Sequence, residues 1–299
     1  MAISAESREI AQSILALGQD LSSGERIPAV GFGTWQMPNS PECAKAVYHA
    51  IEYGYRLIDG AAIYGNEVAV GKGIKAALAA GVSRSDLFLT SKVWISSMGY
   101  QKTMDAFFKT LNDLDVDYLD LYLIHWPCSP TVREDWSEVN LATWKAMVEL
   151  YEEGHIKSIG VSNFKEQHLQ PLLDYRVKPM VNQIELHPGF SQAPLRQFCE
   201  QAGIVVESWG PLGQGRVLEH PLLNELANKH GCTVAQLCLR FILQLGVVSL
   251  PKSVNPNRIQ ANLDFFDFTL SDEEMQQILA LDAEKLGFSG LDSDTNRPV

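Results

Sequence analysis

A chain of 299 residues, 46% of them hydrophobic, can bury a sizeable core, either as one large domain or as two modest ones. With 24 Lys and Arg against 36 Asp and Glu, the formal charge is −12. That argues against a nucleic-acid backbone or an anionic membrane as a general partner, while leaving room for a local basic pocket. Five scattered cysteines, Cys43, Cys128, Cys199, Cys232 and Cys238, make no C-x-x-C and have no histidine at ligand spacing. Reduced thiols in a soluble, cytoplasmic protein without a metal are therefore expected. Acidic residues near the N-terminus, and the absence of any apolar run of about 18 residues, argue against a signal peptide or a membrane span.

In chain order, residues 1–26 form an extension with a turn signal at Gly24 in "LSSGERIP". Eight short apolar or β-branched runs follow, at 29–34, 56–61, 87–93, 118–126, 156–162, 180–186, 204–210 and 247–253. The stretches between them, such as "PECAKAVYHAIEYG" and "YQKTMDAFFKTLNDLDV", repeat apolar residues three and four apart and often close on Gly. Eight β-then-α units of roughly 25 to 40 residues, with no Pro/Gly/Ser-rich linker, predict an α/β fold. The expected form is a single eight-stranded parallel (β/α) TIM barrel over residues 1–299, with an N-terminal hairpin on its floor and a C-terminal loop at its mouth. The rival is a doubly wound open sheet, which calls for a Gly-rich phosphate loop, and the early "GFGTWQ" lacks the third glycine of G-x-G-x-x-G.

Asp59, Lys92 and His125 end the second, third and fourth of these runs, and 33 residues separate each from the next. In a barrel this period sets them side by side on the C-terminal rim, where such folds carry their chemistry, with Tyr64 in the adjoining loop. Singly, each has an ordinary explanation: a helix cap, a wet phenol, a solvated lysine, a hydrogen-bonded core histidine. Equal spacing at the ends of very apolar strands favours a shared site, because a lysine or histidine there is costly unless paired. A tyrosine titrating near 10 is a weak acid at neutral pH unless a cation favours its phenolate. Lys92 at about 4 Å, with an effective dielectric of about 20, contributes about 4 kcal/mol as an upper bound, enough to bring Tyr64 toward about 7 to 8. Asp59 is expected to hold the lysine, and His125 to donate to, or share, the proton of a substrate oxygen. Carbonyl reduction needs such a proton, delivered as hydride arrives. A lyase using Lys92 as a Schiff base is the competing chemistry.

These residues sit in motifs that cover nearly the whole chain: "IPAVGFGTW", "DGAAIYGNE", "LFLTSKVW", "DLYLIHWP", "IKSIGVSNF", "VNQIELHP", "ESWGPLGQG" and "LPKSVNPNRIQANLDFFDF". Together they resemble the aldo-keto reductase family. The wording of the last two is similar to its microbial branch, which contains 2,5-diketo-D-gluconate reductases and trypanosomal prostaglandin F synthase. The resemblance implies reduction of aldehydes and ketones with NADPH, and a tetrad of Asp59, Tyr64, Lys92 and His125. For the cofactor it implies Thr34, Asp59, Ser162, Asn163, Gln183, Trp209, Gly210, Leu212, Lys252, Ser253, Val254, Arg258 and Asn262. Ser162, Asn163 and Gln183 offer the groups to clamp a carboxamide, and Trp209 offers a flat face. Lys252, Ser253 and Arg258 suit a 2′-phosphate, with no acid in their motif to take a ribose hydroxyl instead.

Two positions depart from the family pattern. Gly60 stands where Thr or Ser is usual, which is expected to loosen Asp59. Ala261 replaces an acid beside Asn262, which is expected to weaken cofactor binding. Trp35, Trp94 and Trp126 follow the same motifs and are expected to line the substrate cleft. The loop 127–136 and the tail 288–299 are expected to shape specificity. The partner is then a small carbonyl compound and the unit a monomer; a nucleotide-binding regulatory subunit is the other alternative.

Overall fold

The computed structural model describes residues 3–128 and 134–294. The N-terminal extension begins with helix α1 (Ala5–Ala16), started by Ser4, whose hydroxyl accepts from Ser7 N. The hairpin reading of this segment did not include that helix, although its buried residues Ser7, Ala11 and Ile14 lie about one turn apart. Strands β1 (Gln19–Asp20) and β2 (Arg26–Ile27) then pair antiparallel as expected, and Gly24 takes φ 91° in the turn between them. Three bonds fix this unit to the barrel floor. Ala29 N donates to Ile14 O at 3.2 Å, Gln19 Nε2 donates to Gly246 O at 2.8 Å, and Ser23 Oγ lies 2.8 Å from Ser158 Oγ.

The barrel strands are β3 (Gly31–Gly33), β4 (Leu57–Asp59), β5 (Phe88–Val93), β6 (Leu121–Ile124), β7 (Ile159–Ser162), β8 (Val181–Glu185), β9 (Val205–Trp209) and β10 (Val248–Leu250). They form one parallel sheet in sequence order. Bonds from Ser249 N to Ala29 O (3.1 Å) and from Gly33 N to Pro251 O (3.0 Å) close β10 back onto β3. Each strand falls inside its predicted run but is shorter, because tilted strands share a ladder only near their middles. The open-sheet alternative is thereby excluded.

Helices α2 (Pro41–Tyr53), α3 (Glu67–Ala79), α4 (Tyr100–Leu114), α5 (Trp136–Glu152), α6 (Glu166–Leu173), α7 (Ala193–Gln201), α8 (Pro221–His230), α9 (Val234–Gln244), α10 (Pro256–Ala261) and α11 (Asp272–Ala280) are the remaining described α-helices. In α4 the buried face is Thr103, Phe107, Thr110, Leu111 and Leu114, the three-and-four spacing of a helix lying on a sheet. Phe107 meets Tyr122 of β6 edge-on, with ring centroids 5.2 Å apart.

Candidate active site

Strand register turns the 33-residue period into geometry. Asp59 lies opposite Thr90, and Lys92 lies opposite Leu123. Each functional residue therefore stands two positions beyond the partner of the one before, which is the stagger of a tilted barrel and carries all three to the same rim. Lys92 is 0% exposed and Asp59 4%. The ammonium donates to Asp59 Oδ1 (2.7 Å), Asp59 Oδ2 (2.8 Å) and Gly60 O (2.9 Å), so every proton has an acceptor. Burial alone would lower the Lys92 pKa, but Asp59, joined by Tyr64 and Glu207, outweighs it and the net shift is upward. Buried, charged and fully bonded, this amine has no lone pair to offer a carbonyl carbon, which removes the Schiff-base reading.

Tyr64 is set by the "YGNE" stretch. A single turn of 3₁₀ helix, Ala62–Tyr64, ends on Gly65 at φ 65°. Asn66, fully buried, donates to Thr34 O (2.9 Å) and Met37 O (3.0 Å), tying this loop to the one after β3. Glu67 accepts from Ser91 Oγ of β5 (2.6 Å) and Thr110 Oγ1 of α4 (3.2 Å). Thus the phenol is held by anchors on both sides. Lys92 Nζ lies 5.3 Å from the Tyr64 ring centroid.

The phenol pKa is not in the expected range of 7 to 8. Burial raises it, the Lys92 charge pulls it down, Asp59 pushes it back, and the balance is about 12. Two features were missing from the single-cation argument: the phenol oxygen is enclosed although the residue is only half-buried, and the ammonium is already neutralised by a carboxylate. In consequence Tyr64 rests as a loaded acid. His125, 8% exposed, packs edge-on against both Tyr64 (5.6 Å) and Trp94 (5.1 Å). Burial, and then the Lys92 charge, hold its pKa well below the usual imidazole range, so the ring is neutral. Its Nδ1 is buried with no partner among the described residues.

Above this floor opens a cavity of about 1020 Å³. Its lining includes Trp35, Trp94 and Trp126 after three of the strands, Asp59, Tyr64, His125, Asn163, Gln183, Trp209, Gly210 and Leu212, and, after β10, Lys252, Ser253, Arg258 and Asn262. Thr34, Ser162 and Val254 do not line it. Thr34 Oγ1 donates to Asp59 O (2.8 Å), supporting the aspartate from behind. Ser162 Oγ donates to Gln183 O (2.8 Å) and accepts from Asn163 Nδ2 (3.0 Å), while Val254 is 53% exposed outside. Asn163, at φ 62°, also donates to His125 O (3.0 Å) and accepts from Trp209 Nε1 (2.8 Å), which fixes the indole face toward the trench. Gln183 Nε2 donates to Asp59 Oδ1 (2.9 Å) and to Glu207 Oε2 (3.0 Å).

At Gly60, expected to loosen the aspartate, both backbone polar groups are bonded: its N donates to Thr90 O (2.9 Å) and its O accepts from Lys92. What glycine leaves is space: a side-chain carbon there would meet Thr90 O at 3.5 Å and Thr34 Oγ1 at 3.7 Å, beside a pocket of about 10 Å³ lined by Ile58, Glu67, Leu89 and Thr90.

Sequence reasoning missed several residues of this cavity. Ile63 and Gln214 sat inside the motifs named above, Thr233, Val234 and Ala235 come from the start of α9 and carried no local signal, and Leu291 belongs to the tail expected to shape specificity. The tail reaches the rim through Lys165, which pairs with Asp292 (2.7 Å) and Asp294 (2.9 Å), and through Ser289, whose Oγ donates to Glu185 Oε2 (2.6 Å). Parts of the two loops expected to set specificity, residues 129–133 and 295–299, lie outside the described residues.

A closed parallel barrel with a buried Asp–Lys pair beneath a phenol and a neutral imidazole, opening into a long trench, defines a carbonyl-directed oxidoreductase site. The aldo/keto reductase family profile matches residues 29–283, and the chain belongs to that family. It is 47% identical over 266 residues to a glyoxal reductase of Bacillus subtilis, covering 89% of this chain and 92% of the relative. It is 45% identical to a 9,11-endoperoxide prostaglandin H2 reductase of Trypanosoma cruzi, covering 89% and 91%. Among solved structures it superposes on an aldo/keto reductase from Brucella melitensis with a TM-score of 0.82, at 45% identity, covering 89% of this chain and 99% of that one. A Bombyx mori aldo-keto reductase in complex with NADP gives 0.85 at 35% identity, covering 94% and 97%. The chain is thus an oxidoreductase that reduces carbonyl groups with a nicotinamide cofactor, and the regulatory-subunit alternative has no support.

Proposed function

We propose that the protein reduces aldehydes and ketones with NADPH, using Tyr64 as the proton donor. One observation carries this reading: a phenol held protonated over a buried, fully bonded ammonium, at the floor of a cavity that runs to two exposed cations. A bound NADPH supplies the hydride. Lys252 and Arg258, which have no carboxylate partner among the described residues, fit its 2′-phosphate. Trp209 fits the nicotinamide face, and Asn163 and Gln183 its carboxamide. Ala261 lines the cavity without the acid usual in the family, so binding there is weaker.

The substrate oxygen is placed between Tyr64 and His125. Tyr64 gives its proton to that oxygen, and the negative charge arising on the phenol meets the Lys92 ammonium, which Asp59 already holds in place. His125, neutral, donates a second hydrogen bond to the same oxygen. The tryptophan rim excludes water and fits compact aldehydes; given the glyoxal reductase relative, small dicarbonyls come first. All these groups come from one chain, and we read the working unit as a monomer in a reducing, cytoplasmic setting that keeps its thiols free. The test is the loss of 340 nm absorbance with glyoxal, methylglyoxal, aromatic aldehydes and sugar ketones, run with NADPH and with NADH. Turnover with aldehydes and a clear preference for NADPH are expected; no turnover, or a preference for NADH, defeats the reading.

A further inference from the structure

Behind the tetrad lies a second carboxyl that the proposed reaction does not use. Glu207, in the middle of β9, is 0% exposed and points into the barrel toward Gln183, its neighbour in register on β8. The Gln183 amide divides its two hydrogens, one to Asp59 Oδ1 at 2.9 Å and one to Glu207 Oε2 at 3.0 Å. Glu207 Oε1 has no partner among the described residues.

We propose that Glu207 is a positioning residue: as a neutral acid, it anchors the far hydrogen of the Gln183 amide, so that the near hydrogen fixes the Asp59 carboxylate beneath Lys92. The proposal rests on the carbonyl-reductase reading of this site.

The charge state follows from what surrounds the group. Asp59 on β4 and Lys92 on β5 are the charged groups facing it, with Tyr64 beyond the lysine. The protons of Lys92 are committed to Asp59 and Gly60. From β8 come the uncharged Gln183 and, two residues further on, Glu185, whose carboxylate is bonded to His187 and Ser289, and β10 (Val248–Leu250) brings no titratable side chain. A buried carboxylate with a single amide donor and another anion nearby is far costlier than the acid, whose proton resides on the unpartnered Oε1. In agreement, burial first, and then Asp59, raise this carboxyl to about 8. When Glu207 ionises, it draws the Gln183 amide toward itself and sets a second anion before Lys92. The Asp59 grip on the ammonium then loosens, and with it the alignment of Tyr64.

The experiment compares Glu207→Gln and Glu207→Ala with the natural protein, measuring kcat and KM for an aldehyde at saturating NADPH from pH 6 to 10. The natural protein should lose rate as pH rises through about 8. Glu207→Ala should lower kcat about tenfold across the range with little change in KM, and Glu207→Gln, which keeps the acceptor and cannot ionise, should recover most of that rate and lack the alkaline fall. A fall near pH 8 that persists in Glu207→Gln, or equal kcat in the two variants, overturns the proposal.

A second measurement needs neither cofactor nor turnover. A carboxyl whose folded pKa of about 8 exceeds its ordinary 4.5 contributes stability that is complete below about 4.5 and is lost as pH rises to about 8. The Tm of the ligand-free protein should therefore fall relative to Glu207→Gln over that window. Parallel Tm curves refute the neutral acid even if the kinetics agree. If the natural protein fails to oxidise NADPH with every carbonyl compound tried, the reductase reading fails instead, and the Tm comparison still judges the charge state.

Discussion

Two parts of the cavity lining handle charge in opposite ways. On its floor, Lys92 and Asp59 are buried and every ammonium proton has an acceptor within 2.9 Å. Elsewhere on its lining, Lys252 and Arg258 are exposed and have no carboxylate partner among the described residues. The floor must be assembled by folding, because an unpaired charge there would cost several kcal/mol. The exposed pair can wait for its anion, because water solvates a bare cation at little cost. On the proposed reading, chemistry is preorganised at the floor, while the charges proposed for the cofactor phosphate are left exposed.

Breaking the floor pair should have the largest effect. Lys92→Met leaves Asp59 buried without its counter-ion and should cost about 3 to 5 kcal/mol of stability as well as nearly all activity; a denaturant midpoint close to that of the natural protein would contradict the account. Next comes Tyr64→Phe, which should keep fold and NADPH affinity but lower turnover by about a hundredfold or more. The same pair of proteins reads the phenol itself: in a ligand-free ultraviolet difference titration, the Tyr64 phenolate should be absent below about pH 10, since burial lifts that group to about 12. A phenolate signal near pH 8 would restore the simple lysine-lowered tyrosine.

At the exposed pair, Arg258→Ala should weaken NADPH by about ten- to a hundredfold, leave NADH almost unchanged, and barely alter Tm. Equal losses for both nucleotides in a fluorescence titration would mean that the arginine acts on the fold. Smallest of all should be Gly60→Thr. Gly60 lies outside the left-handed region, a side-chain carbon fits in ordinary contact, and the space behind it is small but real. A gain of about 0.5 to 1 kcal/mol with an unchanged pH profile is expected; a shifted profile would show that Asp59 is less firmly held than its bonds indicate.

Much of this was legible without coordinates, for a definite reason. Parallel barrels repeat one β-then-α unit, so strand ends recur at a fixed interval and the period linking Asp59, Lys92 and His125 already placed them on one rim. Motif wording likewise marked Trp209, Lys252 and Arg258, which all line the cavity, because short contiguous stretches at strand ends supply much of a barrel's mouth. Closure of the barrel and burial were different. They decided that Tyr64 is raised rather than lowered, that Gln183 serves Asp59 and Glu207, that Ser162 and Thr34 brace the site from behind, and that Leu291 and Thr233 reach the cavity at all. A pKa depends on every charge and every displaced water around the group, and those neighbours come from strands that lie far apart in sequence.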